Sequence, residues 1–323
     1  MSKCSYKDCD LEVFDNNDKC IFHCEKNKKN FWLYNEINDE DYSTDDYENA
    51  KERWNKLFVM SFWKNFIEYI NNSSETMVDI KNFIFPIYWK YQYEHISIIE
   101  HLKDKNIRFL NCHFIDYIFL DNEEENQEIN RISFTNNCIF QRKVQINGLK
   151  FKKGMSILGS TFKNNFLIQN CKFDYLFEIV NCSLNKLYIH NITTEKLIEI
   201  KYNTKNQFYF SLYSGNIKDL KIQGNNLLDN FLISDEANHE FVELAGLDVV
   251  YEFSYSGANG KCNIFYGFQN YFIKRNPNIE FHIDIYDVKL DKEFSHVNKA
   301  NVKKFLVEEF EKIKIKKFKE LNG

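Results

Sequence analysis

Residues that interrupt regular structure are scarce in this 323-residue chain, which has two prolines and ten glycines. Aromatic residues are plentiful, with 31 Phe and 19 Tyr. Such a chain can bury enough apolar surface to offset the entropy lost on ordering, which argues against intrinsic disorder. Its length predicts one large elongated domain or two ordinary ones.

Long apolar runs are also missing. No stretch approaches the roughly 18–20 uninterrupted apolar residues of a transmembrane helix, and the opening MSKCSYKDCD lacks the apolar region of a signal peptide. We therefore expect no transmembrane segment and a cytoplasmic location. In that reducing compartment the nine cysteines are expected to be buried thiols or metal ligands rather than disulfides.

Familiar catalytic motifs are absent from the sequence. It has no phosphate-binding glycine loop, no G-x-S-x-G and no H-E-x-x-H, and its eight histidines are scattered. We expect a non-enzymatic protein. An enzyme whose site is assembled from distant residues stays an alternative.

Five candidate metal ligands crowd the N-terminus: Cys4, Cys9, Cys20, His23 and Cys24. Thiolate and imidazole groups in two close pairs, separated by a short loop, suit a closed tetrahedral zinc site of structural type. Since adjacent side chains seldom reach the same metal, the fourth ligand is either His23 or Cys24. The alternative interpretation is a set of unrelated cytosolic thiols.

Residues 1–30 are assigned to a small zinc-binding unit. Its intervening apolar residues are only Leu11, Val13 and Phe14, so bound zinc would supply most of the folding free energy. The spacing resembles short zinc fingers of bacterial and phage proteins, some of which bind nucleic acid. The loop between the ligands is acidic, which weakens the nucleic-acid interpretation.

An acidic linker and an amphipathic helix are predicted in residues 31–76. Residues 35–48 carry seven acids and no base, which is typical of a solvated linker. Apolar residues then recur at the 3.6-residue period and predict a helix over about residues 46–71. Its aromatic stripe is expected to cover the first turn of the body that follows.

The middle of the chain repeats with a step of about eleven residues. Ten apolar pairs, each separated by one position, recur at intervals of ten to twelve: Val144/Ile146, Met155/Ile157, Phe166/Ile168, Phe177/Ile179, Leu187/Ile189, Ile198/Ile200, Phe208/Phe210, Leu220/Ile222, Phe231/Ile233 and Val242/Leu244. A second set alternates with the first and includes Cys138/Phe140, Leu149/Phe151, Ser160/Phe162, Cys171/Phe173 and Cys182/Leu184. Because residues i and i+2 of a strand share a face, each pair predicts one short strand with two inward side chains. Residues 121–130 are predicted to be an acidic loop inserted between coils.

The Cys-x-Phe units resemble the pentapeptide-repeat family, in which residue i is Leu or Phe and residue i−2 is small. The resemblance covers about residues 107–244 and implies a right-handed parallel β-helix with four faces, which we place at residues 77–246. Alternate units here have a sixth residue, and many i−2 positions are large. These departures imply coils of about 22 residues and a wider or flattened interior.

Four cysteines of the body fall at inward positions: Cys112, Cys138, Cys171 and Cys182. A buried free thiol behaves as a small hydrophobe, and burial raises its pKa. None is therefore expected to be a nucleophile.

Residues 247–323 are expected to form a C-terminal cap of strands and a helix. Residues 248–255, 263–272 and 279–288 alternate or run apolar between turn-forming segments, which predicts hairpin-connected strands. An amphipathic pattern with lysines in its last turns predicts a helix over about residues 298–321.

Charge is distributed unevenly. Residues 1–130 hold 15 Lys and Arg against 26 Asp and Glu, whereas residues 131–222 hold 14 against 5. Some pentapeptide-repeat proteins imitate DNA to bind topoisomerases, which requires an acidic β-helix, so the basic body argues against that function here. It admits nucleic acid, through residues 142–172, an anionic membrane or an acidic protein. Packing of the acidic front against the basic body is an internal alternative.

The main functional prediction is a scaffold or protein-interaction protein, because a solenoid offers long binding faces. Its partner would be an unidentified protein, and a homodimer is compatible with the sequence. The alternative is nucleic-acid binding through the basic face and the zinc finger.

Overall fold

The structure is a computed structural model that describes residues 2–15, 17–35, 47–89, 97–121, 127–201, 208–233, 237–257, 261–263 and 280–285. It has three helices in these ranges: α1 (Tyr47–Arg53), α2 (Lys56–Asn72) and α3 (Ile98–Leu102). None of these helices is long and apolar enough to cross a membrane.

The described residues are otherwise mainly β, in 23 strands. These are β1 (Met77–Lys81), β2 (Ile84–Phe85), β3 (Tyr88–Trp89), β4 (Asn106–Leu110), β5 (His113–Phe114), β6 (Ile118–Asp121), β7 (Gln127–Ile129), β8 (Arg131–Thr135), β9 (Ile139–Phe140), β10 (Val144–Asn147), β11 (Leu149–Phe151), β12 (Met155–Leu158), β13 (Thr161–Phe162), β14 (Asn165–Gln169), β15 (Lys172–Phe173), β16 (Phe177–Val180), β17 (Lys186–His190), β18 (Ile192–Lys201), β19 (Phe208–Leu212), β20 (Gly215–Ile233), β21 (Ala237–Gly257), β22 (Lys261–Asn263) and β23 (Glu280–Ile285).

These strands build a parallel β-solenoid with four faces, as the sequence predicts. Every pairing between the strands named above is parallel. Face A stacks β3, β6, β10, β14, β17 and β19, and face B stacks β7, β11 and β15. Face C stacks β1, β4, β8, β12 and β16, and face D stacks β2, β5, β9 and β13. Strands β18, β20 and β21 run through more than one face.

The two alternating sets of pairs correspond to long and short faces. From β4 onward, strands on faces A and C have four or five residues, whereas those on faces B and D have two or three. Val144 pairs with Phe166 on face A, and Met155 pairs with Phe177 on face C. Both offsets equal 22 residues, the predicted coil length. The cross-section is therefore unequal-sided, which explains why units of five and six residues alternate.

One predicted inward pair is displaced by two residues. The sequence predicts Phe208/Phe210, but Leu187 and Ile189 pair with Phe210 and Leu212, and both partners are buried. The connection that precedes β19 is thus longer than the repeat pattern assumes. Because strand side chains alternate with period two, a shift of two keeps Phe210 inward and hides the displacement from the sequence pattern.

Two further predictions are wrong in part. Residues 121–130 are predicted to be a loop, yet β7 lies within them and pairs with β11. Hairpins are predicted for residues 248–255 and 279–288, but β21 and β23 pair in parallel, because the open edge of the solenoid accepts another parallel strand and satisfies its backbone groups. Of the strand predicted at residues 263–272, only Asn263 lies within the described residues, at the end of β22, and the predicted helix at residues 298–321 lies outside them.

Aromatic rings stack along the inside of face D. Phe85, Phe114, Phe140 and Phe162 follow one another with centroid separations of 4.5, 4.4 and 4.3 Å and interplanar angles of at most 11°. These separations are close to the strand spacing of about 4.8 Å, so parallel stacking places each ring over its equivalent in the preceding coil. All four rings are buried in the core.

Asparagine precedes three of the inward cysteines because the corner between faces C and D needs a left-handed residue. Asn111, Asn137 and Asn181 have φ of 52°, 66° and 54°, and Gly159 occupies the same corner at 61°. Asn tolerates this conformation better than other residues with a Cβ. The residue that follows then turns into the core.

The inward cysteines donate to backbone carbonyls of the preceding coil. The Sγ atoms of Cys112, Cys138 and Cys182 lie 3.3–3.4 Å from such oxygens, and Ser160 donates in the same way at 3.4 Å. Burial raises the pKa of Cys182 to about 12, as expected, whereas the side-chain hydrogen bond with Cys112 lowers the pKa of Cys138. The four thiols are buried in the core, as predicted, but their hydrogen bonds to the backbone were not predicted.

Helix α2 covers the first coil. It buries Val59, Phe62, Trp63, Phe66 and Ile70, and Trp63 Nε1 donates to the carbonyl of Ile87 at 3.0 Å. The Phe62 and Phe66 rings contact the Phe85 ring. The predicted cover is confirmed, although the predicted single helix is divided between α1 and α2, whose N-cap is Asn55.

Candidate metal centre

The structure brings together four of the five predicted ligands. The donor atoms of Cys4, Cys9, Cys20 and His23 all lie within 4.8 Å of one another. Cys24 lies outside this group: its thiol is 3.7 Å from the carbonyl oxygen of Ile21. Of the two candidates for the fourth ligand, the fold therefore selects His23.

The donor spacings fit a tetrahedral ion. Cys20 Sγ lies 3.2 Å from His23 Nδ1 and 3.8 Å from Cys9 Sγ, and Cys4 Sγ lies 3.8 Å from His23 Nδ1. Metal–ligand distances of about 2.0–2.3 Å place tetrahedral ligands about 3.3–3.8 Å apart. The four donor atoms are therefore close enough together to bind one metal ion.

The surroundings of His23 prepare its Nδ1 atom for a metal. Its Nε2 lies 3.3 Å from the carbonyl oxygen of Lys81, which can only accept, so Nε2 carries the proton and Nδ1 has a free lone pair. Burial, the largest cause, lowers the pKa of His23, and the ring stacks on Tyr6 at 4.1 Å. The imidazole is held neutral and oriented.

Burial raises the pKa of two thiols of this group, that of Cys20 to about 12 and that of Cys9, so their thiolates are costly without a cation. A bound divalent ion would offset that cost because the thiolate is the ligating form. Burial also acts to raise the pKa of Cys4, but hydrogen bonds from Cys20 and Tyr6 outweigh it, and the pKa of Cys4 is lowered. The backbone N–H of Cys20 donates to Cys4 Sγ at 3.1 Å, an interaction that a thiolate strengthens.

Lys26 supports the ligand-bearing turn and was not identified from the sequence. Its ammonium group is buried and donates to the carbonyls of Ile21 and Cys24 at 2.7 and 2.8 Å. It also lies 4.4 Å from the centre of the Trp32 ring. A lone lysine carries no sequence signal for such a role, because only the fold shows that it is buried.

The ligand-bearing turn also extends face D of the solenoid. The carbonyl of Phe22 accepts from the backbone N–H of Ile84 at 2.8 Å, and its ring stacks on Phe83 at 4.3 Å and 5°. The unit therefore does not rely on Leu11, Val13 and Phe14 alone for its core: Leu11 is 38% exposed, whereas the Phe14 ring contacts the Trp32 and Phe58 rings. Further apolar contacts come from α2 and the first coil.

The lysines of the basic body lie at outward positions, and two of them are paired with acids of adjacent coils. Lys150 lies between Glu128 and Asp174, at 2.8 and 3.4 Å, and Lys152 also contacts Glu128. Arg142 forms a buried pair with Asp116. Acids of the solenoid therefore neutralise part of the basic body.

Fold and site together define a parallel β-solenoid whose first coil is joined to a cluster of three cysteines and one histidine that can bind a metal ion. Comparison with known protein families, curated proteins and solved structures finds no match.

Proposed function

We propose that this protein is a non-enzymatic scaffold for protein–protein interaction, with a structural zinc ion that fastens the N-terminal end of its solenoid. The observation that carries the proposal is the closed donor set. Four protein ligands leave no position for a substrate or a reactive water, which is the arrangement of structural zinc sites. Thiolate and imidazole donors favour zinc over magnesium or calcium.

Zinc would act here by joining three elements. The ligands come from both sides of the N-terminal loop, and the turn that carries Cys20 and His23 is bonded to β1 and β2 through Lys81 and Ile84. Metal binding is then coupled to the order of the first coil. The faces of the solenoid, built in the manner of the pentapeptide repeats that the sequence resembles, would supply the partner surface.

The metal proposal is tested with two matched cysteine variants. Purified protein is analysed for metal content and for thermal unfolding by circular dichroism, before and after treatment with a chelator. We expect about one zinc per chain, lost in Cys20→Ser but retained in Cys24→Ser, an equally buried neighbour outside the donor group. Equal metal content in the two variants, or well below one zinc in the native chain, contradicts the site.

The partner proposal is tested against nucleic acid. Because Lys150 and Lys152 are already paired with carboxylates, we propose a protein partner rather than nucleic acid. Binding of duplex DNA or RNA is measured at low salt and then with rising salt. No binding at low salt is expected. Binding that weakens steeply with salt, as counterion release requires, favours nucleic acid instead.

A further inference from the structure

A cleft of about 660 Å³ lies between the metal-binding loop and α2. Val13, Phe14, Ile21 and Tyr69 line it with apolar surface, and all four are buried or half-buried. This volume is within the range of about 300–1,000 Å³ for ligand pockets, which is enough for a few side chains but not for a folded domain.

The charge of the cleft has one sign. Its lining includes two exposed carboxylates, Glu12 and Glu68, and no lysine or arginine. Within the described ranges, neither carboxylate takes part in an ion pair. An apolar surface with two acids fits a segment in which apolar and basic residues alternate, because lysine stems can cover the apolar surface while their ammonium groups reach the acids.

The chain contains such a segment near its C-terminus. Residues 312–319 read KIKIKKFK, with five lysines, three apolar residues and no acid. We propose that residues 312–319 dock in the cleft of their own chain and so tie the C-terminal segment to the metal-binding end. This inference goes beyond the proposed function, although one wall of the cleft is the metal-binding loop.

The distance between the two ends permits docking within one chain. Eight strand-to-strand steps on face A separate β3 from β23, or about 38 Å at the strand spacing of about 4.8 Å. Residues 286–311 connect β23 to the basic segment. Fully extended, these residues reach about 86 Å, and with residues 298–311 in the helix that the sequence predicts they still reach about 60 Å.

A tether of this length favours the segment of the same chain over that of a second copy. Its reach exceeds the required distance whether or not the predicted helix forms, so the effective concentration of the segment at the cleft is on the order of millimolar. A second copy at micromolar concentration would compete poorly with it.

Zero-length carbodiimide cross-linking of the full chain, followed by peptide mass spectrometry, tests the inference. The reagent joins a carboxylate to an amine in direct contact, so we expect products between Glu12 or Glu68 and lysines of residues 312–319. The Glu128–Lys150 pair, with 2.8 Å between its charged atoms, is the internal positive control. In the double variant E12Q/E68Q, the tail products should disappear while the control product persists.

A mixture of isotopically heavy and light chains identifies the source of the segment. Products that join only peptides of the same label support docking within one chain, whereas heavy–light products overturn it in favour of a second copy. Formation of the control product without any cleft product also overturns it. Metal content is measured on the same sample. If the chain holds about one zinc but gives no cleft product, only this inference is refuted. If a cleft product forms in a chain without zinc, only the metal proposal is refuted.

Discussion

Two Asp–Arg pairs in this protein separate the effect of burial from that of hydrogen-bond geometry. Asp116 and Arg142 are fully buried, with 3.7 Å between Oδ1 and Nε. Asp79 and Arg108 form a two-pronged pair at 2.8 and 2.9 Å, but their side chains are 26% and 43% exposed. Hydrogen-bond geometry alone would predict that the Asp79–Arg108 pair contributes more to stability than the Asp116–Arg142 pair.

We expect the opposite order when each aspartate is replaced by alanine. Loss of one partner from a buried ion pair costs about 3–5 kcal/mol because the other charge stays buried, whereas a surface pair contributes about 0–1 kcal/mol. Asp116 also accepts from Trp54 Nε1 and from the backbone N–H of Tyr117, each at 2.8 Å. Asp116→Ala should therefore destabilise the protein by about 2–5 kcal/mol more than Asp79→Ala.

Urea unfolding of the metal-loaded chain measures this difference. Circular dichroism follows the solenoid, and tryptophan fluorescence follows the region around Trp54, which Asp116 links to the coil. Coincident transitions with unchanged denaturant dependence are required before the two free energies are compared. An equal or larger loss in Asp79→Ala would show that hydrogen-bond geometry outweighs burial and would refute the reasoning.

Three further predictions concern the core, a corner and a surface carboxylate. Phe140→Ala should cost about 3–5 kcal/mol in urea unfolding, and Phe140→Leu less, because Ala leaves a larger cavity in the ring stack. At the corner, Asn181→Gly should be nearly neutral, as Gly159 shows, whereas Asn181→Val should lower the melting temperature, because a β-branched residue is strained at positive φ. Side-chain hydrogen bonds from lysines, Lys150 first, lower the pKa of Glu128 to about 2. Its folded pKa lies below the unfolded value of about 4.3, so its stabilisation is present above that value and is lost as pH falls towards 2; a titration followed by NMR should show the depressed pKa, and Glu128→Gln should remove that part of the acid dependence.

The coil period and the ligand set could be predicted from local sequence because both are carried by spacing. Side chains two residues apart share a strand face, so pairs such as Val144/Ile146 reveal the repeat without any knowledge of pairing partners. The crowding of Cys4, Cys9 and Cys20 likewise indicates a metal site. The covering helix follows from its own apolar period.

Contacts between residues far apart in the sequence decided the features that residue spacing could not predict. Cys24 and His23 are adjacent in sequence, and only the packing of the turn against Lys81 and Ile84 directs the imidazole into the donor group. The inward pair at Phe210/Leu212 depended on the length of a connection that contributes no periodic signal.

Strand direction and charge pairing were decided in the same way. Alternation marks a strand but not its direction, so β23 looked like part of a hairpin although it pairs in parallel with β21. Lysines counted as basic surface, such as Lys150, lie beside acids one coil away. By itself the sequence determined the repeat and the candidate ligands, because those depend on neighbours along the chain. The tertiary structure decided which of His23 and Cys24 joins the donor group, the register and the pairing of charges, because those depend on residues that meet only after the coil closes.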